Sequence, residues 1–388
     1  MKLISSGSFY GIVLAISAFL ISLIISLFSY RYLWENADKS FLVAWLIVFE
    51  ASQLLLLLDL GFTHAFIRNF KSASHFSAIA EELPSLRTVL AISGTVALVI
   101  SLIISYVVAD RQNFLPFIFL ASSILITIVS YADTAALRVL ERHHVVYGAN
   151  IFGGIIYLGV LFGFSVDVEF AIALASLARA ACQLLVQNLM LGAGMYYGKP
   201  MCSGFGTKVI FLNVSYFSLF MLDGFFFTLM GFQGSALAII LLNKKMYDVL
   251  RGLWDSIVQV LSIDYTKRHN RNRDLLVSAF IVLSFATAFL LSEKALLLWL
   301  GDFSYDANLS ISLCLSTMSL ALYRNQTMKA YFQDQKGIYF FSILAVAIKI
   351  IFFVVLYLGG QSFINSAYLG QALFIVFAIF VLKRLRFK

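Results

Sequence analysis

The sequence predicts an all-α membrane protein of about twelve transmembrane helices, arranged as two parallel-repeat lobes of six helices each. Three observations support this: the composition, the length of the apolar stretches, and the charge of the loops between them. Of the 388 residues, 61% are hydrophobic and 12% are charged, and the mean hydropathy is +0.92. A soluble domain is about 25% charged. The net charge of +8 fits basic loops on the cytoplasmic side of a membrane, so it does not indicate a nucleic-acid partner.

Twelve apolar stretches are long enough, or nearly so, to cross a bilayer as a helix of about 20 residues. Pro is scarce, with three residues, and Gly is plentiful, with 23, which suits close packing of membrane helices. The stretches cover residues 7–30, 41–66, 87–109, 114–137, 145–164, 168–193, 207–230, 234–261, 276–292, 307–327, 337–359 and 363–382.

The loops after the even-numbered spans are basic, and the loops after the odd-numbered spans are neutral, acidic or mixed. Because basic loops stay in the cytoplasm, this alternation predicts that both termini are cytoplasmic. Matching loops in the two halves favour a parallel repeat, with lobes at residues 1–200 and 201–388. The basic residues are Arg68 and Lys71; Arg138, Arg142, His143 and His144; Lys199 and Lys208; Lys267, Arg268, His269, Arg271 and Arg273; Lys329 and Lys336; and Lys383, Arg384, Arg386 and Lys388.

Motifs for soluble or ATP-driven chemistry are absent from the sequence. It has no glycine-rich phosphate loop, no His-Glu-x-x-His and no nucleophile elbow. The longest connector, from Arg68 to Leu86, is predicted to be an amphipathic cytoplasmic segment of about 20 residues. Cys182, Cys202 and Cys314 lack metal-ligand spacing and are expected to be free thiols. We therefore expect no catalytic residues, no cofactor and no metal site, and a protein that is not an enzyme.

The predicted eighth span carries five charges at helical spacing. A charge at mid-bilayer costs about 2.5–3.5 kcal/mol on insertion scales, so this face should meet a wet cavity or a helix bundle. Lys244 with Asp248, and Arg251 with Asp255, are expected to pair at i, i+4. Lys245 has no obvious partner on its own helix, which makes it the strongest candidate for binding an anionic substrate. The stripe is either a self-neutralised packing surface or the polar wall of a transport pathway.

Further charges lie alone in other apolar stretches. Arg179 and Lys349 are candidate cavity cations for substrate binding, and Lys349 could instead form an interhelical pair with one of the acids. Glu50 and Asp59 share the second span, where a buried carboxylate could exchange a proton or hold Na⁺.

Asp248 and Asp255 join Glu50 and Asp59 as candidate ion-coupling residues. Arg138 is either an ordinary anchor at the cytoplasmic side or a ligand for a lipid pyrophosphate, because an arginine fork suits phosphate oxygens.

Three segments carry a resemblance to a known family. They are the leucine-rich close of the second span, L-L-L-L-D-L-G-F-T-H-A-F-I-R from Leu55 to Arg68; the connector A-L-R-V-L-E-R-H-H around Arg138; and L-W-L-G-D-F-S-Y-D-A from Leu298 to Ala307. With twelve spans and short loops, the chain resembles the polysaccharide branch of the multidrug/oligosaccharidyl-lipid/polysaccharide (MOP) superfamily. More specifically, it looks like a bacterial O-antigen or capsule-repeat flippase of the Wzx type.

This resemblance implies a V-shaped bundle like that of the MATE transporters, in the bacterial cytoplasmic (inner) membrane. It implies movement of an undecaprenyl-pyrophosphate-linked oligosaccharide from the cytoplasmic to the periplasmic leaflet during lipopolysaccharide or capsule biosynthesis. The partners it implies are the lipid-linked glycan, membrane lipids and other polysaccharide-assembly proteins. Because acids nearly balance the candidate cations, a neutral glycan, internal ion pairs or a substrate with its own cation all stay open.

Other classes are consistent with parts of the same sequence. A drug or cation antiporter of the same superfamily would use Glu50 and Asp59 as its key acids. A membrane polymerase or acyltransferase would usually need a large periplasmic loop, and none is predicted. A non-transporting membrane scaffold is a further alternative.

Overall fold

The chain is nearly all helical in the part that the structure, a computed structural model, describes. Its helices fall into two compact units. The N-terminal unit is Val13–Asn213, and the C-terminal unit is Val214–Lys388 together with Met1–Ile12. The described residues are 6–56, 62–70, 76–108, 114–163, 167–192, 196–198, 223, 234–265, 271–301, 305–332, 343–344, 346–351, 354, 358 and 364–385.

Eleven helices have bounds within these ranges. The first seven are α1 (Ser6–Asn36), α2 (Lys39–Leu55), α3 (Phe62–Phe70), α4 (Phe76–Val108), α5 (Phe114–Val139), α6 (His143–Gly163) and α7 (Val168–Leu191). The remaining four are α8 (Gly234–Tyr265), α9 (Arg271–Leu300), α10 (Ala307–Phe332) and α11 (Ile364–Leu385).

The structure confirms an all-helical membrane architecture. Six of the described helices are long and apolar enough to cross a membrane by length and composition. Their outward faces carry large exposed apolar side chains, such as Val107, Leu290 and Leu298, which are 77–82% exposed. Most of the predicted spans 207–230 and 337–359 lie outside the described residues.

Two predicted boundaries differ from the structure. The stretch predicted as one span, 41–66, contains the end of α2 at Leu55 and the start of α3 at Phe62. The predicted connector from Arg68 to Leu86 includes the first turns of α4, which begins at Phe76. Those turns are helical because Ile79, Leu83 and Leu86 form a buried stripe at helical spacing and are at most 2% exposed.

In the N-terminal unit, α5 is the central helix and packs against both α4 and α7, while α6 packs along α7. Adjacent glycines on α6 permit close approach on two sides. A Cβ on Gly153 would lie 2.8 Å from Gln183 Cγ on α7, and a Cβ on Gly154 would lie 2.6 Å from Ile25 Cδ1 on α1. These glycines therefore set the spacing of three helices around the interior of the unit.

The connector between α5 and α6 is a Schellman turn. The Arg142 N–H donates to the Leu137 carbonyl at 2.8 Å, and the Glu141 N–H donates to the Arg138 carbonyl at 3.0 Å. Glu141 takes the left-handed position with φ of 58°, where glycine is usual. The Arg142 guanidinium also donates to the Met190 carbonyl at 3.3 Å, so this short connector joins the ends of α5 and α7.

In the C-terminal unit, α10 packs against α8, α9 and α11. Two side-chain hydrogen bonds set the rotation of α8. The Tyr247 hydroxyl lies 2.6 Å from Ser310 Oγ on α10, and the Trp254 indole donates to Ser284 Oγ on α9 at 2.8 Å. The charged face of α8 is thereby held in one direction.

Candidate functional site

A buried carboxylate joins two lysines in the C-terminal unit. Asp223 Oδ1 lies 2.5 Å from Lys349 Nζ, and Asp223 Oδ2 lies 3.6 Å from Lys244 Nζ. The Tyr368 hydroxyl on α11 donates to Asp223 Oδ2 at 3.0 Å. The side chains of Asp223, Lys349 and Lys244 are only 1–3% exposed. Lys349 therefore forms an interhelical ion pair with Asp223. An ion pair was one of the two alternatives for Lys349 that the sequence left open, the other being a cavity cation.

The pairing continues along α8. Lys244 Nζ lies 3.4 Å from Asp248 Oδ2, and Arg251 Nη1 lies 3.1 Å from Asp255 Oδ2, which confirms both predicted i, i+4 pairs. Arg251 Nε also lies 3.4 Å from Asp248 Oδ1. The carboxylates therefore alternate with the cations in one buried chain, which we call the charge chain: Lys349, Asp223, Lys244, Asp248, Arg251 and Asp255.

Exposure rises from one end of the charge chain to the other. The side chain of Asp223 is 1% exposed, that of Arg251 is 6% exposed, and that of Asp255 is 19% exposed. The three cations and three carboxylates cancel formally, which lowers the free energy of holding them away from water. Removal of one member would leave a buried charge without compensation.

The interpretation of Lys245 as an unpaired cation is wrong. Lys245 is 6% exposed and interacts electrostatically with Asp248, which lies three residues further along α8. The sequence argument overlooked this neighbour because it assigned Asp248 wholly to Lys244, whereas i, i+3 residues also meet on a helix. A role for Lys245 in substrate binding stays a prediction.

A cavity of about 340 Å³ with a mixed polar and apolar lining lies inside the N-terminal unit. Its wall combines apolar side chains with hydroxyls, one amide and one guanidinium, that of Arg179 on α7. The lining residues from α1 and α2 are Ile25, Ser26, Ser29, Tyr30, Trp45 and Phe49, with Leu56 just beyond α2; those from α5, α6 and α7 are Leu120, Ser123, Ile124, Thr127, Tyr157, Ile172, Ser176, Arg179, Ala180 and Gln183.

Arg179 is held at the cavity wall by neutral groups. Its Nη2 donates to Ser22 Oγ on α1 at 3.3 Å, and it interacts electrostatically with Tyr157 on α6. Gly153 lets α6 approach the backbone here, since a Cβ at that position would lie 3.2 Å from the Arg179 carbonyl. The structure thus places the predicted cation Arg179 in a cavity, whereas Lys349 and Lys244 lie in the charge chain of the other unit.

A second buried ion pair was not predicted from the sequence. Arg87 Nη2 on α4 lies 2.6 Å from Asp133 Oδ1 on α5, and both side chains are at most 3% exposed. The Asn188 amide donates to the other Asp133 oxygen at 3.4 Å. The sequence separation of 46 residues offers no periodic signal for this pair, and Arg87 had been placed at the edge of an apolar stretch.

The structure says less about the other candidate residues, Arg138, Glu50 and Asp59. Arg138 is partly buried in the last turn of α5, close enough to Tyr147 for an electrostatic interaction. The side chain of Glu50 and the whole of Asp59 lie outside the described residues. The ion-coupling roles predicted for Glu50, Asp59, Asp248 and Asp255 stay predictions.

The fold is that of the transporters of the MOP superfamily. No family model matches the sequence, and no curated protein matches it, but solved structures match along nearly the whole chain. An outward-facing multidrug resistance MATE family transporter of the MOP superfamily superposes with a TM-score of 0.64 at 13% identity, covering 97% of this chain and 96% of that one.

Two further structures show the range of proteins that share this fold. A MOP superfamily transporter from Pyrococcus furiosus, described as having a binding pocket of reverse polarity, gives a TM-score of 0.66 at 12% identity over 96% of this chain and 93% of that one. The lipid II flippase MurJ, in an inward closed conformation, gives 0.62 at 12% identity over 95% of this chain and 86% of that one. Both drug transporters and a lipid flippase are therefore similar to this multi-pass membrane protein in fold.

Proposed function

We propose that this protein is a flippase for a lipid-linked oligosaccharide. It moves an undecaprenyl-pyrophosphate-linked repeat unit from the cytoplasmic to the periplasmic leaflet of the bacterial inner membrane by alternating access. The observation that supports this most is the cavity inside the membrane-spanning N-terminal unit, which has hydroxyls, one amide and the Arg179 guanidinium in its wall. The MOP fold supports the same class, since a lipid flippase is among the proteins that share it.

The physical problem for such a substrate is the hydrocarbon core. Each polar group that enters it without a hydrogen-bond partner costs several kcal/mol, so a sugar headgroup cannot cross unaided. A cavity lined by Ser, Thr, Tyr and Gln side chains replaces water around the sugar hydroxyls. The prenyl tail can stay in the lipid while the headgroup moves.

The energy for net movement is proposed to come from the membrane potential or from a coupled ion. One charge that crosses the full potential is worth about 2.3 kcal/mol per 100 mV, and an inside-negative potential favours outward movement of an anion. Asp248 and Asp255 in the charge chain, and Glu50 and Asp59 in the second predicted span, are the proposed coupling acids. Lys245, Arg251, Lys244, Arg179, Lys349 and Arg138 are the proposed substrate-binding cations.

The proposed biological setting is the assembly of a surface polysaccharide, such as O-antigen or capsule. Other polysaccharide-assembly proteins would then supply the lipid-linked repeat unit on the cytoplasmic side and polymerise it on the other side. A knockout should therefore accumulate the repeat unit at the inner leaflet and lose the surface glycan.

A drug or cation antiporter is the second candidate, because a multidrug transporter superposes equally well. A cationic drug requires a negative or neutral site. The charged residue that lines the cavity, among the residues described, is the cation Arg179 rather than an Asp or Glu. This polarity favours the flippase over the antiporter.

A reconstitution experiment tests the proposal. The purified protein is inserted into liposomes that hold a fluorescent lipid-linked oligosaccharide in both leaflets, and a membrane-impermeant quencher reports how much label reaches the outer face. We expect complete quenching with the protein and about half without it. Quenching that stays at half with the active protein, under an imposed potential or ion gradient, would overturn the flippase proposal.

A further inference from the structure

Four of the hydroxyl groups that line the Arg179 cavity share a direction of hydrogen bonding. Each donates its proton to the backbone of its own helix, with donor–acceptor distances of 2.6–2.9 Å. A hydroxyl that donates to a backbone carbonyl has only its oxygen lone pairs left for a further partner, and two of the four, Ser29 and Ser176, already hydrogen-bond to the Tyr157 hydroxyl on α6. The four hydroxyls are those of Ser29, Ser123, Thr127 and Ser176, and they donate to the carbonyls of Ile25, Leu120, Ser123 and Ile172.

Two side chains on α7 bring N–H donors to the same space. Arg179 carries five N–H groups, and its Nη2 donates to Ser22 Oγ on α1. Gln183, one helical turn further along α7, adds an amide to the lining. No Asp or Glu side chain in the described part of the chain forms an ion pair with Arg179. The cavity therefore offers one cation and several hydrogen-bond acceptors.

This combination discriminates among the groups that a glycolipid headgroup could present. A phosphate is almost entirely an acceptor, so it would satisfy Arg179 but leave the hydroxyl oxygens without donors. A neutral sugar supplies hydroxyl donors but leaves the guanidinium without a counter-charge. A sugar that bears a carboxylate supplies both, because an arginine fork binds a carboxylate in a bidentate manner and the sugar hydroxyls can donate to the acceptor oxygens.

The volume limits how much of the glycan can enter. Ligand cavities range over about 300–1,000 Å³, and this one, at about 340 Å³, lies at the small end. It suits a single sugar residue rather than a complete repeat unit. The aromatic residues Trp45, Phe49 and Tyr157 in the lining provide flat apolar surfaces against which the carbon face of a sugar ring can pack.

We propose that this cavity is a subsite for one acidic sugar residue of the transported glycan, with Arg179 binding its carboxylate and the hydroxyl oxygens of α1, α5 and α7 accepting from its hydroxyls. The proposal rests on the proposed flippase function for the statement that the sugar belongs to the cargo. The binding of an acidic monosaccharide is a property of the N-terminal unit itself and can be measured without transport.

The binding experiment uses the purified full-length protein in detergent and three soluble probes: glucuronate, glucose and inorganic phosphate. Thermal unfolding and isothermal titration measure binding. We expect glucuronate to bind the wild-type protein and to bind Arg179→Gln about 10- to 100-fold more weakly, as loss of a charged hydrogen-bond donor predicts. Glucose and phosphate should each bind far more weakly than glucuronate. Equal binding of glucose or of phosphate, or unchanged glucuronate binding by Arg179→Gln, would overturn the subsite.

Matched variants keep the test decisive. Arg31→Gln removes an arginine whose side chain is 50% exposed and paired with Glu35, so it should bind glucuronate as the wild type does. Thr127→Val keeps the shape of the side chain and removes one acceptor oxygen, and we expect a several-fold loss. If Arg179→Gln does not fold, Arg179→Lys and Thr127→Val take its place, and unchanged binding by both variants contradicts the proposal.

Transport separates this inference from the function on which it rests. In the liposome assay, lipid-linked glycans with and without an acidic residue are compared in the wild type and in Arg179→Gln. Movement of both glycans with no effect of Arg179→Gln keeps the flippase and removes the subsite. Glucuronate binding without movement of either glycan contradicts the flippase and the statement that the bound sugar is cargo.

Discussion

Lys349 and Asp223 form an ion pair in which the Nζ to Oδ1 distance is 2.5 Å and neither side chain is more than 2% exposed. The pair joins distant parts of the sequence, and Asp223 extends it to Lys244 on α8. A charge that is buried this deeply depends on its partner, because the solvent that would otherwise stabilise it is excluded. The stability of the C-terminal unit should therefore be sensitive to either residue.

Lys349→Met should destabilise the protein by about 3–5 kcal/mol, because it leaves the Asp223 carboxylate with the more distant cation Lys244 and the neutral Tyr368 hydroxyl. The double variant Asp223→Asn with Lys349→Met should recover much of this loss, and thermal unfolding in detergent would measure the coupling as a double-mutant cycle. The exposed pair Arg31–Glu35 is the control, and breaking it should change stability by at most about 1 kcal/mol. Additive effects of the two buried substitutions would contradict a direct interaction.

Arg251→Ala and Lys245→Ala should leave membrane insertion intact and reduce the amount of surface glycan. Arg251 contacts both Asp248 and Asp255, so its removal leaves two carboxylates with less positive charge around them. Surface glycan is compared with the amount of protein in the membrane fraction for each variant. Normal surface glycan in both variants would assign the charged face of α8 to packing alone.

Gly153→Leu should separate α6 from α7 and abolish glucuronate binding. A Cβ at this position already lies 2.8 Å from Gln183 Cγ and 3.2 Å from the Arg179 carbonyl, and such overpacking costs about 1–3 kcal/mol. Gly159 on the same helix is the matched control, since no atom lies within 4 Å of a Cβ there. Gly159→Leu should retain binding and should not lower the melting temperature. Equal effects of substitution at the two glycines would contradict a specific role for the α6–α7 contact.

Glu141→Gly should stabilise the protein by about 1 kcal/mol. Glu141 has φ of 58°, a conformation that costs an ordinary L-residue roughly 1–2 kcal/mol and glycine little. Glu141→Ala keeps a Cβ and serves as the control, so it should give no comparable gain. The measurement is the melting temperature of the two variants, and a gain by Glu141→Ala as large as that by Glu141→Gly would point to the lost charge instead.

Glu50→Gln and Asp59→Asn test the coupling acids. If either carboxylate carries the coupled ion, transport in liposomes should depend on a pH or Na⁺ gradient in the wild type and lose that dependence in the variant. Asp255→Asn is the comparison in the C-terminal unit, where the carboxylate also neutralises Arg251. Gradient-driven transport that is unchanged in all three variants would show that none of these carboxylates carries the coupled ion.

Two kinds of feature could be predicted from the sequence. One is residue spacing that repeats along a single helix, and the other is the difference in composition between membrane-spanning segments and the loops that lie in water. Alternating basic loops and long apolar stretches predict the spans, and spacing of four residues predicts the contacts of Lys244 with Asp248 and of Arg251 with Asp255. The same reasoning misjudged Lys245, because a residue on a helix has neighbours at both three and four positions. It also did not place the end of α2 at Leu55, because the apolar composition continues beyond that residue.

By itself, the sequence determined the class of the molecule, an all-helical membrane protein, and the local charge pairs on α8. Only the tertiary structure decided that Asp223 meets Lys349, that Arg87 meets Asp133, and that Arg179 faces a cavity rather than a carboxylate in the described part of the chain. The physical reason is that periodicity specifies which face of a helix is polar but not which helix lies opposite. That choice depends on close packing, and the glycines at 153 and 154 set the spacing of α6 from α7 and α1 around the Arg179 cavity.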